Sequence, residues 1–170
     1  MILTRDEILK ELRAGRIKIE PFDETALGPA SYDLALDNKF RIFKRDADAV
    51  FHVTDDVEFE KMTELIEVKD DFVLMPGETV HGITKERITL PDNICGWLQG
   101  RSRFARVGLM VHITAAFLQP GISNRQVLEM NNAGPLPLAI HAGTKIAQLI
   151  FERCAGRARY AGRFAIQEEP

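Results

Sequence analysis

An arginine-rich segment is the first place in this sequence where residue types and spacing suggest chemistry. It reads GRSRFARVG over residues 100–108 and holds three arginines and one serine. Ser102 is expected to cap a short helix ending at Gly108, with Ser102 and Arg106 on one side and Arg101 at the helix start. A hydroxyl, free amide groups and guanidinium groups together favour an anion such as a polyphosphate. A solvated surface helix with a capping serine is the alternative.

A glutamate within an apolar strand pattern is the second candidate. In QVLEMNN, alternation places Val127, Glu129 and Asn131 on one face of a strand and Leu128 and Met130 on the other. A carboxylate is costly to bury unless it is paired, so an inward Glu129 is either a structural partner or an acid or base for catalysis. A solvent-facing carboxylate is the alternative interpretation.

Histidines and cysteines form no metal-binding pattern in this sequence. His112, in the segment VHITAAF, is interpreted as a satisfied core residue of an apolar strand. The other histidines show no ligand spacing with one another: His52, His81 and His141. Cys95 and Cys154 each lack a second cysteine nearby, so neither a disulfide framework nor a cysteine-based zinc site is indicated.

Composition limits the class of protein. The chain has 170 residues, of which 45% are hydrophobic and 28% charged, and a formal net charge of -3 at pH 7. This length suits one domain over residues 1–170, and the weak acidity argues against a nucleic-acid polymer as the partner. No segment approaches the roughly 20 apolar residues of a membrane helix, and the start of the chain lacks the pattern of a signal peptide. We therefore expect a cytoplasmic protein that binds no membrane.

Short strands dominate the pattern that must position these residues. Thr4, followed three residues later by Glu7, predicts one helix that ends near Gly15. Strands are predicted in IKIEPF, SYDLAL, KFRIF, VFHV, TELIEV, FVLMPGETVHGITKERITLP, CGWLQG, LMVHITAAFL, RQVLEMNN and LPLAIHAGTKIAQLIFER, with turns at Gly28-Pro29 and Asp37-Asn38. So many short strands imply a closed sandwich or barrel, against whose core Phe104 and Val107 can pack.

Four segments, taken together, carry a family resemblance. They are PASYDL at 29–34, GRSRFARVGLMVHITA at 100–115, QPG and QVLE between 119 and 129, and LPLAIHAGTKIAQLIFER at 136–153. Their ordered combination closely resembles the deoxycytidine triphosphate deaminases of the trimeric deoxyuridine triphosphatase (dUTPase) superfamily. The resemblance implies a mainly β fold: a distorted antiparallel β-barrel or jelly roll with a short N-terminal helix and a few short helices. It also implies a homotrimer with each active site at a subunit boundary.

The resemblance further implies an enzyme that hydrolyses dCTP to dUTP and ammonia. In the family, a glutamate activates water for attack on C4 of cytosine, and no zinc is used. The His-x-Glu and Pro-Cys-x-x-Cys pattern of zinc deaminases is indeed absent from this sequence. Glu129 is implied as the general base, with Ser102 and Arg106 as the other catalytic residues. Mg²⁺ would enter with the triphosphate, so no metal site formed by protein ligands alone is expected.

A wider set of nucleotide-binding residues follows from the same resemblance. It comprises Arg101, Ser102, Arg103, Ala105, Arg106, Thr114, Ala115, Gln119, Val127, Leu128, Glu129, Gln148, Arg159, Tyr160 and Arg163. Arg101, Ser102 and Arg106 would hold the triphosphate and help to fix the base. Residues 154–170 are expected to form a mobile tail that orders over the bound triphosphate.

Three positions depart from the family pattern. Gln119 stands where an aspartate is usual; that aspartate contacts the sugar and, in the triphosphatases, helps to position the hydrolytic water. An amide is a poor substitute for that second role, which puts hydrolysis of the triphosphate in doubt. Arg103 replaces a common serine, and Arg163 replaces a glutamine of the tail, although Arg159 fits a phosphate-closing lysine.

Glu129 favours deamination among three possible functions, because the pure triphosphatases carry an apolar residue there. The second possibility is hydrolysis of dUTP to dUMP and pyrophosphate, alone or after deamination. Phe117 resembles the deaminases that also hydrolyse. The third is a non-catalytic nucleotide sensor or trimeric interaction module, for which Gln119 and Arg163 leave room.

Overall fold

The secondary structure consists of strands with two short helices. The computed structural model describes residues 1–44 and 50–170. Helix α1 spans Arg5–Arg13 and helix α2 spans Ser102–Ala105. The strands are β1 (Lys18–Glu20), β2 (Tyr32–Phe43), β3 (Thr63–Glu67), β4 (Asp71–Leu74), β5 (Thr79–Thr89), β6 (Ile94–Gly100), β7 (Leu109–Met110), β8 (Phe117–Leu118), β9 (Ser123–Asn132), β10 (Leu138–His141) and β11 (Lys145–Arg153). Single 3₁₀ turns lie at Glu24–Ala26, Phe59–Lys61 and Arg163–Ala165.

An antiparallel sheet curls into a half-barrel around the core. Its strand order is β7-β9-β5-β2-β11-β6-β8, with β1 beside β5 and β3 beside β2, while β4 and β10 form a separate pair. Alternation along the strands turns apolar side chains inward, so that Leu34, Leu36, Phe40, Leu128 and Leu149 are fully buried. The predicted mainly β fold is confirmed.

Two predicted local features are wrong. The expected turn at Asp37-Asn38 does not form, because β2 continues through both residues and only its register against β5 shifts there. The Asp37 carboxylate is paired with Arg125 of β9, which holds these residues within the sheet. The strand expected in VFHV is also absent from the structure: Val50 and Val53 are strongly exposed and have no partner strand. TELIEV does form a strand, β3.

Helix α2 differs in detail from its prediction. Ser102 is the first helical residue and Arg101 occupies the N-cap position, so the prediction of Ser102 as the cap is wrong. Phe104 packs against the core as expected, but Val107 is 54% exposed. Gly108 has a φ of +88°, and an added Cβ would lie 2.5 Å from the backbone nitrogen of Gly134. Helix α2 ends at Ala105, before the predicted end, and a glycine is needed at Gly108 in the turn that follows it.

Helix α1 begins where the sequence predicted. Thr4 occupies the N-cap position, although its side chain makes no capping hydrogen bond. Ile8 lies fully buried in the core, which attaches the helix to the sheet. No helix among residues 1–44 and 50–170 is long and apolar enough to cross a membrane.

Candidate active site

A cavity of about 440 Å³ lies beside β5 and β9. Its lining residues come from both strands, from the segment that includes β8, and from the C-terminal segment. They include five of the predicted nucleotide-binding residues: Ala115, Gln119, Val127, Glu129 and Tyr160. The cavity thus joins the glutamate strand to part of the predicted nucleotide site.

The Glu129 carboxyl group lies on the wall of this cavity. Its neighbours Leu128 and Met130 are completely buried on the other face of β9, which fixes the direction of the Glu129 side chain. The Glu129 Oε2 atom is buried and has no hydrogen-bond partner among the described residues. Burial raises the pKa of Glu129, although the backbone amides of Glu129 and Ile113 and the nearby His112 act in the opposite direction. A carboxyl group whose pKa is raised in this way keeps its proton to a higher pH than an ordinary glutamate does.

His112 was interpreted incorrectly from the sequence. It is half-buried in an irregular segment after β7 instead of in a strand. Its Nδ1 atom is buried and unpaired in the described part of the chain, so this histidine is not a satisfied core residue. Its position next to Glu129 places a second polar group beside the cavity.

His81 is a cavity residue that the sequence analysis missed. It lies on β5 directly opposite Glu129 of β9, and both side chains line the cavity. The His81 ring contacts Phe43 and Phe59 edge-on, with centroid separations of 5.2 and 6.0 Å. Burial, and secondarily the positive charge of Arg41, lower the pKa of His81. Alternation in VHGIT gives the outward direction of His81, but only the strand register places it opposite Glu129.

The arginine-rich segment lies outside the cavity of the same chain. Ser102, Arg103 and Arg106 are exposed, and the Arg106 guanidinium group has no ion-pair partner among the residues described. Arg101 differs, because it pairs with Asp33 of β2 at 2.9 Å and donates to the carbonyl oxygen of Lys145 at 2.5 Å. Arg101 therefore anchors the start of helix α2, whereas Arg106 is free to bind an anion.

The remaining predicted residues occupy different places. Gln148 of β11 donates to the Gly100 carbonyl oxygen at 3.3 Å and accepts from the Ser31 hydroxyl at 3.3 Å. Leu128 is a core residue, and four others are exposed and do not line the cavity: Ala105, Thr114, Arg159 and Arg163. One chain thus presents two separate clusters of predicted site residues.

The C-terminal segment lies along the cavity. The Tyr160 amide donates to the Pro120 carbonyl oxygen at 3.0 Å, and the Asn124 side chain donates to the Phe164 carbonyl oxygen at 2.6 Å. The Gln167 side chain donates to the Arg125 carbonyl oxygen at 3.1 Å. These contacts attach the segment to the edge of the cavity. Its mobility stays a prediction.

Metal-ligating side chains do not converge in the described residues: no three of His, Cys, Asp and Glu lie where they could hold an ion together. Cys95 and Cys154 are both free thiols. The binding of Mg²⁺ together with a nucleotide stays a prediction.

The fold is shared by enzymes of deoxynucleotide metabolism. A 2'-deoxycytidine 5'-triphosphate deaminase from Agrobacterium tumefaciens superposes on 91% of this chain with a TM-score of 0.70 and 19% identity; this chain spans about half, 48%, of that one. A mutant dUTPase of phage phi11 of S. aureus matches 86% of this chain and 96% of its own, with a TM-score of 0.53 and 14% identity. These likenesses define a dUTPase-like fold.

Sequence comparison identifies the family. Residues 2–154 match the family described as dCTP deaminase-like. A dUMP-forming dCTP deaminase of Parafrankia sp. is 40% identical over 100% of this chain and 88% of its own length. A dUMP-forming dCTP deaminase of Mycolicibacterium gilvum is 40% identical over 94% of this chain and 84% of its own. The chain belongs to the dCTP deaminase-like family, and the predicted resemblance is confirmed.

Proposed function

We propose that this protein deaminates dCTP in the cytoplasm, with Glu129 as the general base. The position of Glu129 carries the proposal: its carboxyl group faces the cavity, its Oε2 atom is unpaired, and burial raises its pKa. The relatives that are 40% identical to this chain are dCTP deaminases. A carboxyl group with one unpaired oxygen beside a cavity suits the transfer of protons to a bound base.

The reaction requires two proton transfers, and one carboxyl group can perform both. Glu129 would take a proton from water as the water oxygen bonds to C4 of cytosine, and pass that proton to N3. It would then take the proton of the new hydroxyl group and give it to the amino group. The bond between C4 and this nitrogen then breaks, ammonia leaves, and a C4 carbonyl group remains. The water oxygen and both water protons are thus accounted for.

Product analysis tests this proposal. Purified protein would be incubated with dCTP and Mg²⁺, ammonia would be assayed, and the nucleotides would be separated by anion-exchange chromatography. We expect equal amounts of ammonia and uracil nucleotide. Persistence of dCTP under conditions where it binds would favour the non-catalytic nucleotide sensor.

We further propose that dUMP is the final product, as the names of the relatives suggest. Gln119 lies in the same cavity as Glu129, at the position where the family resemblance implies an aspartate. An amide can orient a water molecule but is a weak base. Hydrolysis of the triphosphate should therefore be the slower step, with dUTP accumulating transiently. Persistent dUTP with no dUMP would instead indicate a deaminase alone.

Restoring a carboxylate at residue 119 should accelerate that slower step. We expect Gln119→Asp to increase the rate of dUTP hydrolysis at least about tenfold, because an acid–base group commonly contributes 10²–10⁴ to a rate. The measurement is pyrophosphate release from dUTP. Gln99→Asp is the control, since Gln99 is exposed on β6 and does not line the cavity. Equal rates in all three proteins would exclude Gln119 as the cause of slow hydrolysis.

A complete site needs a second copy of the chain, and we propose a homotrimer. Arg106 and Ser102 lie on an exposed helix outside the cavity that holds Glu129, so one chain does not bring them together. Large apolar side chains are exposed in this region, including Val107, Met110 and Ile113, which are 54%, 42% and 45% exposed. Apolar groups of this kind favour an interface between copies.

Removal of the C-terminal segment should impair catalysis without preventing folding. Truncation after Arg153 is expected to leave a folded trimer, because the core strands end there, but to weaken dCTP turnover strongly through loss of the cavity edge. Thermal melting and sedimentation equilibrium would establish the fold and assembly, and ammonia release would give the rate. Wild-type turnover in the truncated protein would show that the segment has no role in closure.

A further inference from the structure

The pairing of β5 with β9 places two ionisable side chains side by side. His81 and Glu129 are direct partners in the antiparallel register. Directly opposite residues have Cβ atoms about 4.5–5.5 Å apart and project from the same face of the sheet. Both residues line the same cavity.

The surroundings of His81 hold its ring in place without using its nitrogen atoms. Phe43 and Phe59 contact the ring edge-on. The structure gives the imidazole no hydrogen bond within residues 1–44 and 50–170. Because burial and the charge of Arg41 lower the pKa of His81, the ring is neutral at neutral pH and carries one N–H group and one lone pair.

Other charged groups near the pair have partners of their own or act on one member. Arg41 of β2 donates to the Pro170 carbonyl oxygen at 2.8 Å, and its guanidinium group lies 5.7 Å from the Phe59 ring centroid. His112, from the segment after β7, acts on Glu129. The 3₁₀ turn bearing Phe59 also carries Glu60, which pairs with Arg163 at 3.5 Å. His81 is thus the residue of the paired strand β5 that lies opposite Glu129, while His112, whose Nδ1 atom is also buried and unpaired, approaches Glu129 from the segment after β7.

We propose that His81 is a positioning residue for Glu129: its N–H group donates a hydrogen bond, directly or through one water molecule, to the Glu129 carboxyl group. This inference rests on the proposed role of Glu129 as the base. The hydrogen bond fixes the orientation in which the carboxyl group meets the attacking water. It also stabilises the ionised carboxylate, which must be present when the water is deprotonated.

Two substitutions of similar size show whether His81 acts as a hydrogen-bond donor or only fills space. Gln and Met are both unbranched and comparable in length, but only Gln carries an N–H donor. We expect His81→Met to raise the pKa of Glu129 by about one unit, because the ionised form loses its donor. His81→Gln should keep the pKa of Glu129 close to the wild-type value. His141→Met is the matched control, since His141 is exposed on β10 outside the cavity.

Carboxyl ¹³C NMR titration of Glu129 measures this shift without requiring activity. In the wild-type protein, the imidazole ¹⁵N shifts of His81 should also change as Glu129 titrates, a test that needs no variant. In the enzyme assay, the acidic limb of kcat/KM should move up by about one pH unit in His81→Met and return in His81→Gln.

The outcomes distinguish this inference from the proposed function. An unchanged Glu129 pKa in His81→Met, or equal shifts in the Met and Gln variants, would overturn the positioning role even if dCTP is deaminated normally. If the wild-type protein leaves bound dCTP intact, the deaminase proposal fails, and the NMR titrations still decide whether the two side chains are coupled.

Discussion

Replacing Glu129 with Gln is expected to abolish deamination while leaving dCTP binding nearly intact. The amide keeps the size of the side chain and still fits at the cavity wall, but it cannot accept a proton from water. Loss of a general base commonly costs 10²–10⁴ in rate, so kcat should fall by roughly that factor. Stopped-flow absorbance of cytosine would give kcat, and calorimetry would give the dissociation constant. Near-normal turnover in Glu129→Gln would remove Glu129 from the mechanism.

The pH dependence of stability provides a control on the same variant. Burial raises the pKa of Glu129 in the folded protein, so the folded state binds this proton more tightly than the unfolded chain does. This contribution to stability is complete below the ordinary pKa of a glutamate and is lost as the pH rises through the raised value. Glu129→Gln should therefore melt at a higher temperature than the wild-type protein at neutral pH, and this difference should shrink in acid. A less stable variant at neutral pH would indicate that Glu129 has a structural partner.

The parts of this molecule that follow from local pattern were predictable from its sequence. Strict alternation around Glu129 gave the orientation of β9, because inward Leu128 and Met130 leave the carboxyl group only the opposite face. Helix α1 followed from Thr4 and Glu7, which mark its N-terminal end. By contrast, Asp37-Asn38 has the composition of a turn but lies inside β2, where the distant Arg125 pairs with Asp37. A contact between β2 and β9 cannot be derived from either segment alone.

Which residues form the site also depends on the pairing of strands that are distant in the sequence. His81 and Glu129 are 48 positions apart in the sequence. They face each other because β5 pairs with β9 in the folded chain, and neither strand specifies this register by itself. Residue spacing could not predict that Arg106 is exposed. Helical spacing places Arg106 and Ser102 on the same side of the helix, but it does not show which other residues cover them. Tertiary contacts decide both features.

Removal of the Arg106 guanidinium group should weaken nucleotide binding strongly. A charge-assisted hydrogen bond to an anion contributes about 1.5–3 kcal/mol, so Arg106→Ala should raise the dissociation constant for dCTP roughly 10- to 150-fold. Calorimetry measures this constant. Arg13→Ala is the control, because Arg13 is an exposed arginine on helix α1, remote from the cavity lining. An unchanged affinity of Arg106→Ala for dCTP would instead support the alternative interpretation, in which helix α2 is a solvated surface helix.

Mixing the two impaired variants, Glu129→Gln and Arg106→Ala, tests whether Arg106 serves the cavity of a neighbouring copy. In a cyclic trimer whose sites each combine Glu129 from one chain with Arg106 from the next, random exchange between Glu129→Gln and Arg106→Ala chains restores about a quarter of the sites. At a dCTP concentration too low to saturate Arg106→Ala, we therefore expect activity to recover from a few per cent or less to about a quarter of the wild-type rate. Co-expression with two affinity tags would yield the mixed trimers, and each variant mixed with itself would serve as the control. If mixed trimers stay inactive, or if sedimentation equilibrium shows a monomer, both residues must act within one chain, and helix α2 would have to move toward its own cavity to bind the triphosphate.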